Sequence, residues 1–461
     1  MVSAVATPTR RTAQRRPERA RALAAEGARV RAFAQHLSLP PMPVAAPIVR
    51  RSLLPLPLLV VAVASAACRL PGQRPTPRPL PRVPAEEAAA RGIDVATLQA
   101  RLDRALAQAM RDSAFPGGVA VVGSRAGILA QSAVGVLDRA DPVRPDERTI
   151  WDLASLTKVV GMTSAVLHLA QQGKIDLDAP VQRYLPEWTG AGKDRVTVRH
   201  LLTHSAGLPA WRPLYKEAGT PSEALALVFA TPLDTLPGVR MVYSDLGAIL
   251  MAQVATRVAG LPFDRYATER VFRPLGMTET AWRPASALRP RIAPTEVDPW
   301  RQRHLRGEVH DENAFALGGV SGHAGLFSTA TDLSRLARMY LGYGRLDGVR
   351  VFDSATVVRF TAHADSPLSN RALGWEKPTA SNSAGRRLSP SAFGHTGFTG
   401  TSLWIDPAQD VFILLLTNRV NPTRENRKIG QVRIAVADAV MGALQGCAEG
   451  ATVLECPGTG R

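Results

Sequence analysis

Strand-like apolar runs stand at opposite ends of the folded part of this chain, with helical sequence between them. Near one end, 117–124 reads GGVAVVGS and 128–136 reads ILAQSAVGV, a hairpin with a glycine-containing turn. Near the other, GTSLWIDPAQDVFILLLTN at 400–418 is a second hairpin around Asp406 and Pro407. Between them lie SEALALVFA, LGAILMAQVATRVAG and ATDLSRLARMYLGY, each with helical spacing. DVATLQARLDRALAQAM precedes the first hairpin, with Leu98, Leu102, Leu106 and Ala109 on one face, and QVRIAVADAVMGAL closes the chain as a helix. The expected architecture is α/β of the α+β type. One sheet is built from both chain ends, with flanking helices and a mostly helical region inserted.

Composition and charge narrow the function. The 461 residues are 45% hydrophobic and 21% charged, as in a globular protein. A net charge of +17 invites a nucleic-acid reading. Residues 1–51, however, hold ten arginines against Glu18 and Glu26, and the other basic residues form no long stripe, so no nucleic-acid partner is expected. From Met42, two arginines precede an apolar run from Leu53 to Ala67 and then Cys68, the shape of a bacterial export signal. The run is too short and proline-broken for a comfortable membrane span. SAAC resembles a lipoprotein cleavage box that makes Cys68 a lipidated membrane anchor; cleavage after Ala64-Ser65-Ala66 is the alternative. Either Met1 or Met42 is the start. Export places the protein in the periplasm, outside the cell or on a membrane. In such an oxidising compartment Cys447 and Cys456 are free to pair, or else they remain thiols in a loose tail. The expected organisation is an extension and signal over 1–68, an extended Pro/Arg-rich tether over 69–91, the catalytic unit over 92–445 and a tail over 446–461, acting as a monomer.

Three stretches carry chemistry. Only six of the 56 Lys and Arg residues are lysines, yet one follows a serine by a single helical turn, Ser155 and Lys158 in SLTK. Lysine can give up its proton when buried and arginine cannot, so the pair suits an activated hydroxyl. If Ser155 opens its helix, its backbone N–H is free to meet a substrate oxygen. A coincidental Ser-x-x-Lys is the bland alternative. In VYSDLGAIL, Tyr243 suits a proton shuttle to a leaving group, while Ser244 or Asp245 also suits a helix N-cap. In FGHTGFTG, His395, Thr396 and Gly397 open a strand, and the glycines at 397 and 400 would let a substrate lie against the backbone.

In this order, S-x-x-K, Y-S-D and H-T-G resemble the active-site set of the serine β-lactamase and penicillin-binding-protein superfamily, most of all its class C branch with related esterases and D-amino-acid peptidases. TVRHLLTHSAGLP and GHAGLFSTATDLSRLARM resemble the same branch. GEVHDENAFALGGVSGHAGLFS further resembles a lipoprotein subgroup, some of whose members are amidases acting on cell-wall muropeptides. The resemblance implies Ser155 as acylated nucleophile, Lys158 as general base or proton relay, Tyr243 as acid/base, and an oxyanion hole from the amides of Ser155 and Phe398. It implies substrate contacts from Asp245, His395, Thr396 and Gly397, and no metal or cofactor. The substrate class is a small ester, amide or peptide. A class C-type β-lactamase is the alternative, and a slowly deacylating or purely binding cell-wall lipoprotein is the alternative of another class. Asp245 stands where many members have Asn, and His395 where β-lactamases have Lys. Both make the site less positive, which argues against an anionic substrate. His200 and His204 are four apart, but without an H-E-x-x-H arrangement they are expected to fix a loop rather than bind zinc. His310, Asp311, Asn313 and His323 are expected to frame the cleft, with substrate contact by His310 or Asp311 as the sharper alternative. Trp151 is expected to pack.

Overall fold

Alternation in the first hairpin decides how the sheet is covered. In β1 (Gly117–Gly123) Ala120 and Val122 face one side, Val119 and Val121 the other, and every residue is buried. β5 (Val411–Thr417) is likewise buried throughout, so both faces of the central strands carry other elements. In this computed structural model the described residues are 79–140, 142–364, 368–450, 452, 455 and 456. The expected export segment, Met42, Cys68 and the first part of the tether lie outside them.

The five-stranded sheet runs in the order β3 (Phe393–Thr396), β4 (Ser402–Asp406), β5, β1, β2 (Ile128–Gly135), with every neighbouring pair antiparallel. Val119 sits opposite Leu416, Trp404 opposite Ile413 and His395 opposite Leu403. The pairing of β1 with β5 joins the two ends of the chain, as the sequence pattern predicts.

Before β1 come the helices α1 (Ala85–Ala90) and α2 (Val95–Arg111). Asp94 caps α2 by accepting from the N–H groups of Ala96 and Thr97. Leu98, Leu102, Leu106 and Ala109 point into a core shared with Ala120, Val122, Ile413, Leu415, Val436 and Val440. Each such leucine contributes about 1.5–3 kcal/mol by leaving water. The extended tether expected to residue 91 is corrected here. Arg82 bridges to Ile128, and AEEAAA forms α1 directly after Pro84, because alanine and glutamate favour helix where proline only starts one.

The inserted region is mostly helical, as expected, with α3 (Ser164–Gln171), α4 (Asp245–Ala259) and α5 (Ala330–Leu341). α3 stops just ahead of Gly173 at φ +69°. α5 is buried along its whole length against the sheet face opposite α2. α6 (Ile429–Leu444) lies beside α2. A small sheet, invisible to periodicity, pairs Leu326–Ser328 with Trp151–Asp152 on one side and Ala281–Trp282 on the other. Trp151 is buried in it. Beyond α6, Cys447 and Cys456 are joined by a disulfide, with their Cα atoms 5.6 Å apart.

Candidate active site

Ser155 sits where the small sheet hands over to a helix. Ala154 takes φ +45°, a left-handed conformation that an L-residue adopts at a cost of ~1–2 kcal/mol. Asp152 holds it there. One carboxylate oxygen accepts from Ala154 N–H at 2.9 Å, and the other accepts from His310 N–H at 2.7 Å. Burial pushes the Asp152 carboxyl up, against those two backbone donors. Helix formation begins with a 3₁₀ turn over Ala154–Leu156 and widens to a π turn over Lys158–Thr163. The regular α-helix expected from Ser155 onward is thus confined to α3. Gly161 lies in the wide turn against Trp282, whose ring a Cβ would meet at 2.8 Å. Single π turns recur at functional sites.

Ser155 and Lys158 nevertheless meet. Lys158 Nζ donates to Ser155 Oγ at 3.1 Å, to Asp245 Oδ1 at 2.7 Å and to the His323 carbonyl at 3.1 Å. It lies 4.8 Å from the centroid of the Tyr243 ring. Burial alone would lower the lysine's pKa, but Asp245 and Tyr243 together outweigh it and raise it above the ordinary value. Lys158 is therefore a held cation. Ser244 caps α4, as the N-cap reading has it. Tyr243 packs between His204, 4.6 Å between ring centroids, and His395, 5.8 Å. Its hydroxyl is buried with no hydrogen-bond partner.

The β3–β4 turn closes the site from the sheet. Thr399 Oγ1 donates to Asp152 O at 2.7 Å, and Thr401 Oγ1 donates to Leu153 O at 3.0 Å. Phe398 thus projects from a turn bolted to the strand that leads into Ser155, and its side chain is exposed. Two arginines hold this turn from below. Arg433 donates to the carbonyls of Gly397 and Thr401, and Arg419 donates to that of Phe398. His310 stacks on the Phe398 ring at 5.7 Å and meets Glu296 at 2.9 Å.

One expectation is corrected. The glycines of H-T-G-F-T-G serve the turn rather than substrate approach. A Cβ on Gly397 would lie 2.3 Å from Leu153 O, and one on Gly400 would lie 2.1 Å from Thr417 Oγ1. His395 adds no cation near neutrality, as its place instead of Lys implies. Burial, then the charges of Arg371 and Lys158, push its pKa well below the ordinary histidine range. Its Nδ1 faces Thr396 O at 2.8 Å, and its Nε2 is buried without a partner. His310 and Asp311 frame the cleft: Asp311 caps the following helix through Ala314 N–H and meets His323 Nε2 at 2.9 Å. Asn313 ties that stretch to Arg212 and Tyr215. The Nδ1 atoms of His200 and His204 accept from Thr197 and Ser244 N–H, so both rings fix local backbone. Thr396 ends β3 opposite Ser402.

Sequence reasoning missed Asp152, Arg371, Arg419 and Arg433. The three arginines act from distant parts of the chain with no local spacing to mark them, and Asp152, three residues before the serine, carries no motif of its own.

The model of the Beta-lactamase family matches residues 102–438. The chain belongs to that family. It is a serine hydrolase of the β-lactamase and penicillin-binding-protein type, with the β-lactamase/transpeptidase-like fold. A Salmonella enteritidis PT4 protein named "Putative D-alanyl-D-alanine carboxypeptidase" is 34% identical over 321 residues, which cover 63% of this chain and 74% of that protein. Among solved structures, EstCE1, described as a hydrolase with promiscuous acyltransferase activity, superposes with a TM-score of 0.62 at 23% identity, covering 76% of this chain and 99% of its own. A class C β-lactamase gives 0.63 at 19% identity, covering 77% and 99%. The two structures speak for the fold.

Proposed function

We propose that the protein cleaves an ester or amide through an acyl-enzyme on Ser155, with peptides ending in D-alanyl-D-alanine as the preferred class. The observation that carries this is Lys158 Nζ at 3.1 Å from Ser155 Oγ, held charged by Asp245 and packed on Tyr243. The name of the Salmonella relative supports the substrate class. Ser155 Oγ attacks the carbonyl carbon, and its proton passes to the Tyr243 oxygen, which enters the step as the phenolate paired with the Lys158 ammonium. Because Lys158 is held as a cation, its part is relay and electrostatic support rather than free general base. The amides of Ser155 and Phe398 receive the oxyanion. Tyr243 returns a proton to the leaving nitrogen or oxygen, the acyl-serine forms, and water then releases the acid. Asp245 serves Lys158 rather than the substrate. The export-like segment from Met42 and the Cys447–Cys456 disulfide support action outside the cytoplasm, with Cys68 as the lipid anchor.

The test is turnover of an N-acyl-D-alanyl-D-alanine dipeptide, a chromogenic acetate ester and a chromogenic cephalosporin by wild type and Ser155→Ala. Release of D-alanine and of the chromogenic alcohol by wild type alone supports the reading. Turnover retained in Ser155→Ala, or the cephalosporin as the best substrate, overturns it. Lipid on the N-terminal cysteine of membrane-extracted protein, absent in Cys68→Ala, tests the anchor.

A further inference from the structure

Around the Tyr243 ring the protein has collected polar atoms that no described residue satisfies. Tyr243 Oη, His395 Nε2 and the Nε and Nη1 of Arg371 are all buried without a hydrogen-bond partner. Arg371 is the most costly of them. It is 7% exposed, and among the described residues no carboxylate pairs with it. Its guanidinium carbon lies 5.1 Å from the centroid of the Tyr243 ring, and Lys158 Nζ also lies near that ring. A ring face attracts a cation but leaves its N–H donors unmade, and a buried charge with unmade donors is destabilising.

The position is fixed. Arg371 leads into a tight turn in which Ala372 N–H donates to Trp375 O at 3.0 Å. Gly374 takes φ +82°, and a Cβ there would lie 2.0 Å from Thr163 Oγ1, in the wide turn that starts at Lys158. Glu376 and Gly394 exchange backbone hydrogen bonds of 2.9 Å, which docks the segment onto β3. The guanidinium is thereby referenced both to the Lys158 turn and to the H-T-G strand.

Charge on the site completes the argument. Lys158 is matched by Asp245 at 2.7 Å, and Asp311 faces His323 at 2.9 Å. Arg371 is the cation beside Tyr243 for which no described residue supplies a counter-charge. We infer that Arg371 is the anion-binding residue of this site, taking a free carboxylate of the substrate on the Tyr243–His395 side of Ser155. The inference rests on the hydrolase reading above and refines it. A planar guanidinium matches a carboxylate through paired N–H donors and stays charged at every working pH. It supplies the positive charge that His395 in place of Lys removes, and an anionic substrate end becomes the favoured one.

Two pairs of compounds test it on the intact protein. One is an N-acyl-D-alanyl-D-alanine dipeptide against its C-terminal amide as substrates. The other is N-acetyl-D-alanine against its amide as inhibitors of chromogenic-ester turnover. Wild type should favour the carboxylate member at least tenfold in both pairs. Arg371→Gln should bring each ratio close to one, and Arg371→Lys should restore part of it. Wild type that treats acid and amide alike overturns the inference. So does an Arg371→Gln variant that weakens both members equally, since that marks a prop for Tyr243. If the Gln variant does not fold, the wild-type and Lys ratios decide. If the dipeptide is not cleaved but the acid still inhibits better than the amide in an Arg371-dependent way, the peptidase reading fails and the anion site stands.

Discussion

At Lys158 two opposing effects decide the chemistry. Burial favours the neutral amine, and the Asp245 carboxylate together with Tyr243 favours the ammonium and prevails. Asp245→Asn removes the larger of these two contributions and shifts the balance toward burial. Lys158 should then lose its proton at lower pH, and the alkaline limb of kcat/KM for a chromogenic ester should move down by about one unit or more, since a single unit is only ~1.4 kcal/mol of differential interaction. A profile that superposes on wild type between pH 6 and 10 would show that Asp245 does not set the charge of Lys158. Glu296 makes the same kind of argument for stability. Burial would raise its pKa, but His310 and Arg424 outweigh it and hold it near about 2, below its ordinary 4.5. Its contribution is therefore complete above pH 4.5 and is lost as pH falls toward 2. Glu296→Gln should melt lower than wild type at pH 7, with the gap narrowing below pH 4.5 and closing only near pH 2 in thermal melts.

Between residues and molecule stands the β3–β4 turn, a single element that meets the serine strand, the sheet and two arginines. Its glycines are spaces already filled by Leu153 O and Thr417. Gly397→Ala should push the turn off the Leu153 carbonyl and misplace the Phe398 amide. The expected loss is about a hundredfold or more in kcat, the scale of one oxyanion donor, with a smaller change in KM. Unchanged kcat with Gly397→Ala would separate the turn from the oxyanion hole. Leu102→Ala in α2 makes the contrasting case: about 2–5 kcal/mol of stability lost in urea melts, with kcat retained in the folded fraction. The helices were legible because their apolar spacing is regular over many residues. The three strands of the small sheet are two or three residues long, too short for any period, and so stayed hidden although one of them leads into Ser155. The widened turn at Lys158–Thr163 was hidden for another reason. It packs Gly161 against Trp282, a contact across more than a hundred residues that no local spacing marks.

The whole molecule joins its ends. β1 from one hairpin and β5 from the other lie side by side, and α2 and α6 seal one face of both. That closure was readable from the two apolar runs, as was the order of the three motifs. The charge pattern of the site was only half readable. Asp245 announced a less positive site through its residue type, and the structure shows it paired with Lys158. Arg371 reaches the same ring from the strand-proximal loop, with no local signature, and reverses the conclusion that the site disfavours anions. Ending the chain after Lys428 removes α6 and exposes the apolar face that Val432, Val436 and Val440 cover. Such a protein should fail to give a cooperative melt. The account as a whole depends on Ser155 being the atom that is acylated. The most direct measurement is intact mass of the folded protein after a fluorophosphonate probe, with the adduct located by peptide mapping. One probe mass on the peptide holding Ser155, lost in Ser155→Ala while the fold is kept, is the predicted result. An unmodified Ser155, or an adduct on another residue, would contradict it.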